Sequence, residues 1–225
     1  MGTIKIDFNG NQNVGLFSYT TDNKTLIGSG YGYEKNKERI EKALGTECHE
    51  INITGIPLIG VMISGYKDKI IVPKETYPEE IEKLKEIGFK VKKIDSNYNA
   101  LRNNVIVFDS GILVRNDLEE KAVKQIKDFF KKKVLRKKIK GFDAIGQMFV
   151  RNDNGIMASP HLEGNDIEAI EKFLETEIKI GTINFGGGYI NSGVLVNNKG
   201  LVVGPKSSGY EIMEIESGLG FTKYD

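Results

Sequence analysis

The sequence predicts an α/β fold in which five pseudosymmetric units close into a β/α propeller, with strands around a central axis and helices outside. Two recurring landmarks that keep one period, and an amphipathic helix stripe after the second, predict it. The first landmark is an aliphatic–Gly–x–apolar unit entering a strand: Asn13-Val14-Gly15-Leu16-Phe17, Leu58-Ile59-Gly60-Val61-Met62 and Ala144-Ile145-Gly146-Gln147-Met148. Gly15 and Gly60 lie 45 residues apart, and Gly60 and Gly146 lie 86 apart, two periods of 43. The skipped copy is due near residue 103, where Ala100-Leu101-Arg102-Asn103-Asn104-Val105 leads into an aliphatic strand; a fifth is Tyr189-Ile190-Asn191-Ser192-Gly193-Val194. Self-similarity at such a period marks a repeat architecture.

The second landmark is a polar turn feeding an aliphatic strand. The turns are Asp22-Asn23-Lys24, Lys67-Asp68-Lys69, Asp109-Ser110-Gly111, Asp153-Asn154-Gly155 and Asn198-Lys199-Gly200. Measured from their last residues, successive copies lie 45, 42, 44 and 45 residues apart. Gly in three of them takes positive φ without steric cost, as hairpin turns require.

A loop and a helix signal follow each second strand. Ser208-Gly209-Tyr210-Glu211, Asn165-Asp166-Ile167-Glu168 and Asp117-Leu118-Glu119-Glu120 read as caps with a carboxylate three residues on, and Pro78 suits a first helical position. Apolar residues then recur at helical spacing: Ile81, Leu84 and Ile87; Val123, Ile126, Phe129 and Phe130; Ile167, Ile170, Phe173 and Leu174; Ile212, Ile215 and Leu219. Gly45, Gly88 and Gly220 read as stops, and a third apolar segment such as Lys90–Ile94 follows. Strand, turn, strand, loop, helix, strand thus fills each unit, at about 1–50, 51–95, 96–138, 139–181 and 182–225, within one domain spanning 1–225. No such sheet can bury both faces alone, and a closed ring removes the ends that an open array must cap.

Composition narrows the function. A formal net charge of +1 over 225 residues excludes whole-molecule electrostatic binding to nucleic acid. The single cysteine, Cys48, allows no intramolecular disulfide, which fits a cytoplasmic protein. The start, Met1-Gly2-Thr3-Ile4-Lys5-Ile6, alternates like a strand rather than a signal peptide, and Ile6 breaks the myristoylation pattern. No run approaches the 18 apolar residues of a membrane span.

Specific strings then add a resemblance. Gly181-Thr182-Ile183-Asn184, Asn197 to Gly204, Ser207-Ser208-Gly209-Tyr210-Glu211 and Ile215 to Phe221 follow Ala100-Leu101 with Asn103, and Asn154-Gly155 with Ser159-Pro160. In this order they resemble the translation initiation factor 6 family of archaea and eukaryotes, over essentially the whole chain. The resemblance implies the five-bladed pentein-like fold and a non-enzymatic role without cofactor. It implies a monomer that binds the large (50S) ribosomal subunit at protein uL14, near the sarcin–ricin loop, and prevents association with the small subunit, acting in initiation and large-subunit maturation. Release is expected to involve elongation factor 2 and an SBDS-like protein. Symmetry places Leu16, Val61, Asn103, Gln147 and Ser192 as the uL14-facing set, and Asn103 matches the family's Asn-bearing motif. Arg102, Asn191 and Lys69 stand at family glycines, Val61 where many eukaryotic members carry Arg, and Phe185 inside the family's Asn-Arg-Gly.

The rival reading is a guanidino-modifying hydrolase or amidinotransferase of the same architecture, which needs a Cys nucleophile with His and acids. The last repeat has no Cys. Cys48 adjoins His49, and neighbours on a strand diverge, so Cys48 reads as a small core residue. His161 follows Ser159-Pro160 without a nucleophile-elbow motif, two histidines and one cysteine give no metal cluster, and Phe185-Gly186-Gly187-Gly188-Tyr189 lacks the Lys-Ser/Thr of a phosphate loop. One charge run remains. Lys131, Lys132, Lys133, Arg136, Lys137, Lys138 and Lys140 are either a solvated, edge-protecting face or a local contact to ribosomal RNA phosphates.

Overall fold

The computed structural model describes residues 2–30 and 32–222, and in them fifteen strands form five three-stranded sheets. The first blade is β2 (Ser18–Thr20), β3 (Lys24–Ile27) and β4 (Glu47–Glu50). The second is β5 (Ser64–Tyr66), β6 (Lys69–Pro73) and β7 (Lys90–Ile94), and the third β8 (Val105–Val107), β9 (Ile112–Arg115) and β10 (Val134–Lys137). The fourth is β11 (Phe149–Arg151), β12 (Ile156–Ala158) and β13 (Ile178–Ile180). In each, the first two strands pair antiparallel through the predicted polar turn, and the third returns through a helix to pair parallel with the second. The fifth is β14 (Val194–Val196) and β15 (Gly200–Val203), completed by β1 (Gly2–Lys5). The repeat frame drawn from sequence puts Gly2–Lys5 in the first unit; in the structure it pairs in parallel with Gly200–Val203, the other end of the chain.

The middle strands β3, β6, β9, β12 and β15 are buried on both faces, which accounts for their runs of aliphatic, mostly β-branched residues. Along β6, Ile70 and Val72 enter one core and Ile71 the next. Each apolar core lies in a seam between neighbouring sheets and takes one helix. Leu26 and Ile51 meet Ile70, Val72 and Leu84 in the seam of blades one and two. Ile71 meets Val114 and Ile126, Phe108 meets Phe149 and Ile170, Val150 meets Val203 and Ile215, and Val202 meets Ile27 and Ile40 across the other four. An open row of five sheets has four seams. A fifth seam, joining the last sheet to the first, makes the ring closed.

The helices are Tyr33–Leu44, Pro78–Glu86, Glu120–Phe130, Gly164–Leu174 and Gly209–Gly218. Pro78 opens its helix, and the Ser208–Glu211 capping box is formed. Two predicted caps move. The N-cap position of the third helix is Glu119 rather than Asp117, which pairs with Arg115, and that of the fourth is Glu163 rather than Asn165; neither glutamate makes a side-chain cap bond. Gly45, Gly88 and Gly220 take positive φ as stops, but the third and fourth helices end on Lys131 and Glu175, both at φ 58°.

Candidate functional site

Immediately before each inner strand stands a four-residue helical turn: Val14–Phe17, Ile59–Met62, Leu101–Asn104, Ile145–Met148 and Ile190–Gly193. Each packs on the next, and the last packs on the first, so the five close one end of the axis. The second residue of a turn faces a carbonyl of the preceding one. A Cβ on Gly15 would lie 1.9 Å from the Asn191 oxygen, on Gly60 1.7 Å from the Gly15 oxygen, and on Gly146 1.7 Å from the Arg102 oxygen. Close backbone packing therefore demands glycine at these three places. The repeat landmark is thus a hub contact, and the fifth copy aligns on Asn191 rather than Gly193.

Arg102 and Asn191 hold the two hub positions without glycine. Arg102 donates through Nη2 to Asn191 Oδ1 at 2.7 Å, Asn191 Nδ2 donates to Gln147 Oε1 at 2.8 Å, and Gln147 Nε2 donates to Asn103 Oδ1 at 2.9 Å and to the Gly60 carbonyl at 3.1 Å. From sequence, Arg102 and Asn191 stand out only as departures from a family pattern. Their shared place in the repeat, one cation and one amide, was the available signal.

Of the five expected interface residues, Leu16, Val61, Asn103 and Ser192 are half-buried at the surface of the turns, while Gln147 is 4% exposed. Gln147 spends its amide within the hub and fixes the Asn103 side chain. Asn103 Nδ2 bonds no other group among the described residues, and Ser192 Oγ donates to the Tyr189 carbonyl at 2.7 Å.

Because each inner strand runs from its hub turn to its hairpin, one rim of the ring carries the hub turns and helix N-termini and the other the hairpins. On the hub rim, Asn184, Phe185 and Gly186 form a tip with three consecutive positive φ values, and Phe185 is 84% exposed. Glu211 clasps this tip, accepting from Gly186 N at 2.8 Å, Phe185 N at 3.1 Å, Ser208 N at 2.8 Å and Thr182 Oγ1 at 2.8 Å. Burial alone raises a carboxyl pKa, but these donors outweigh it and hold Glu211 at about 2.

The basic run does not present a single cationic face. Lys132 bonds Asp109 and lies 4.5 Å over the Tyr66 ring, Lys133 pairs with Glu175 at 2.8 Å, Arg136 with Glu120 at 2.6 Å and Lys137 with Asp166 at 2.7 Å. The contacts with Tyr66, Glu175 and Asp166 join the third blade to its neighbours, and those with Asp109 and Glu120 lie within it. Lys131, Lys138 and Lys140 are exposed and have no side-chain partner among the described residues. Lys131 lies toward the hairpin rim. Lys138 and Lys140 lie at the hub rim, where Ile139 and Phe142 bridge.

Cys48 sits on β4, an outer strand, 2% exposed beneath the helix Tyr33–Leu44, and burial reinforced by the Glu41 charge pushes its thiol up to about 12. A thiol so protonated is no nucleophile. His49 lies 3.6 Å from Glu47, and His161 stacks on Phe142 at 4.8 Å. None of these lines the cavity on the axis.

A family model described as the eIF-6 family matches residues 3–218. The chain belongs to the eIF-6 family. The translation initiation factor 6 of Saccharolobus islandicus is 32% identical over 225 residues, covering 98% of this chain and 100% of its own. That of Pyrococcus horikoshii is 30% identical over 223 residues, covering 96% and 98%. The eIF-6 family is one of translation initiation factors, not of enzymes. Among solved structures, the N-terminal domain of ArgZ, an arginine dihydrolase from cyanobacteria, superposes with TM-score 0.58 at 14% identity over 83% of this chain and 76% of that one. A dimethylarginine dimethylaminohydrolase gives 0.54 at 12% identity over 75% and 68%. These likenesses show the pentein fold alone.

Proposed function

We propose that this eIF-6 family member binds the large (50S) ribosomal subunit through its hub rim and keeps the small subunit from joining. The observation that carries the reading is Asn103 on the hub rim, with its side-chain oxygen held by Gln147 and its amide nitrogen bonded to no other group among the described residues. Leu16, Val61 and Ser192 stand at the equivalent places of neighbouring blades, and Gln147 acts through Asn103. The partner surface is protein uL14 near the sarcin–ricin loop. Phe185 supplies an apolar anchor on the same rim, and Lys138 and Lys140 supply cations for nearby ribosomal RNA phosphates, with Lys132, Lys133, Arg136 and Lys137 committed within the molecule and Lys131 lying toward the opposite rim. The five apolar seams make the ring a stiff object, so occupying the surface suffices and no bond is made or broken. The factor works in the cytoplasm as a monomer, and elongation factor 2 with an SBDS-like protein releases it.

Sedimentation with purified archaeal subunits tests this. The protein should travel with the large subunit and reduce whole ribosomes, and Asn103→Ala should weaken both effects about tenfold, the worth of about one hydrogen bond at an interface. Co-migration with the small subunit, or unimpaired subunit joining, would overturn the reading.

A further inference from the structure

The ring holds a cavity of about 100 Å³ on its axis. The hub turns floor it, with Gly15, Gly60, Arg102 and Asn191 among its lining, and it opens between the hairpins, where Asp22, Lys67 and Asp153 stand. It therefore faces away from the hub rim. Two guanidinium groups line it. Arg102 is 9% exposed, and its Nε and Nη1 meet no acceptor among the described residues; only Nη2 is used, on Asn191 and, at 3.5 Å, on the Phe149 carbonyl. Arg151 gives Nε to the Val107 carbonyl at 2.7 Å and Nη2 to the Gly65 carbonyl at 3.4 Å, lies 4.7 Å over the Tyr66 ring, and its Nη1 meets no acceptor among the described residues. Neither has a carboxylate within ion-pair distance among the described residues. The Tyr19 hydroxyl, which also lines the cavity, has no acceptor among them either.

A buried cation without a counter-ion costs several kcal/mol, which paired charge normally offsets. Here burial, and the repulsion of Arg151, bring Arg102 down to about 10, and Arg151 is lowered as well, chiefly by burial. At the mouth, Asp22 and Asp153 turn to Asn198 instead of to either cation, accepting from its amide at 2.7 Å and 2.8 Å. The floor is thus a set of donors with two positive charges and no negative charge of its own. Guanidinium forks match oxyanions, and two of them match a dianion.

We propose that the axial cavity is a binding site for a phosphate-type oxyanion, held between Arg102 and Arg151 with the Tyr19 hydroxyl as a third donor. Asp22 and Asp153 at the mouth disfavour highly charged polyanions, and the floor is too enclosed for nucleic acid, so the ligand is a free phosphate ion or a small phosphate monoester. The site opens away from the hub rim and leaves subunit binding possible with the cavity occupied.

Line broadening of inorganic phosphate in ³¹P NMR, titrated with full-length protein against a chloride background of equal ionic strength, tests the proposal. Saturable one-to-one binding is expected, with affinity reduced about tenfold or more in Arg102→Gln and in Arg151→Gln, since each removes a charge-assisted contact. Tyr19→Phe, which deletes one hydroxyl, should weaken it less and keeps the proposal falsifiable should an arginine variant not fold. O-phosphoserine serves as the monoester arm: tighter binding than phosphate assigns the site to an organic phosphate, equal or weaker binding to the free ion. Absence of broadening, or an affinity unmoved by the variants that fold, would overturn the proposal.

Discussion

Arg102 and Asn191, 89 residues apart in the chain, are joined by a 2.7 Å hydrogen bond across the hub. They hold the two hub positions where the other three turns need glycine. Each departure from glycine is thus answered by the other, and Gln147 and Asn103 extend the pair into a network over three blades. A double-mutant cycle of Arg102→Ala and Asn191→Ala, read by denaturant unfolding, should give a coupling of about 1–3 kcal/mol, the range for a bond to a charged group. Additive losses would show the two sites to be independent.

Gly60 should tolerate no side chain. Its Cβ would sit 1.7 Å from the Gly15 carbonyl oxygen, and 2.6 Å from that of Ser18, both backbone atoms that cannot swing aside. Gly60→Ala is expected to cost about 3 kcal/mol or more, at the upper end of overpacking effects. Gly164→Ala, with nothing within 4 Å, is the matched control and should stabilise its helix slightly.

Lys131 offers the opposite sign. It closes the helix Glu120–Phe130 at φ 58°, a conformation that burdens a residue bearing Cβ by about 1 kcal/mol, and its side chain has no partner among the described residues. Lys131→Gly should raise the unfolding free energy by about 0.5–1 kcal/mol, net of the entropy that glycine loses on folding. A loss of stability would show that the lysine itself contributes.

The clasp at Glu211 sets an acid dependence. Its carboxyl, ordinarily near 4.5, is held at about 2 in the folded ring. Its contribution is therefore complete above about pH 4.5 and disappears as pH falls toward 2. Glu211→Gln turns an amide N–H toward a cluster of donors, and at pH 7 should cost about 1–3 kcal/mol. The gap between the two proteins should narrow between pH 4.5 and 2; a gap that stays constant there contradicts the linkage.

At the proposed interface, Phe185→Ser should weaken large-subunit binding by about tenfold while leaving unfolding within about 0.5 kcal/mol, because the ring lies in solvent. Joint replacement of Lys138 and Lys140 by Gln should lower the salt slope of binding by about 1–2 units, near one for each phosphate no longer neutralised. An unchanged slope removes these lysines from the RNA contact.

Much of the ring was legible because its period is carried by backbone necessity. Gly15, Gly60 and Gly146 recur since the hub packs carbonyl against Cα, and the hairpins recur since each inner strand needs a turn to its antiparallel partner. What stayed hidden is what depends on partners distant in sequence. The cap at Asp117 is a local exception, its carboxylate taken by Arg115 two residues back. The basic run looked like one surface because nothing in it announces Asp109, Glu120, Asp166 or Glu175 as counter-ions on other elements. Symmetry picked out the proposed interface positions, yet it could not say that Gln147 points inward to hold Asn103.

The pairing of Gly2–Lys5 with Gly200–Val203 sets an order of events at synthesis. The first strand leaves the ribosome early and must wait, with its hydrogen-bonding edge open, until nearly the whole chain has followed it. Four blades can gather while translation proceeds, but the circle locks only at the end, by a contact whose long sequence separation makes it slow. A nascent chain cut short before residue 200 should therefore be an open arc, sticky at both ends and ready material for chaperones or proteases.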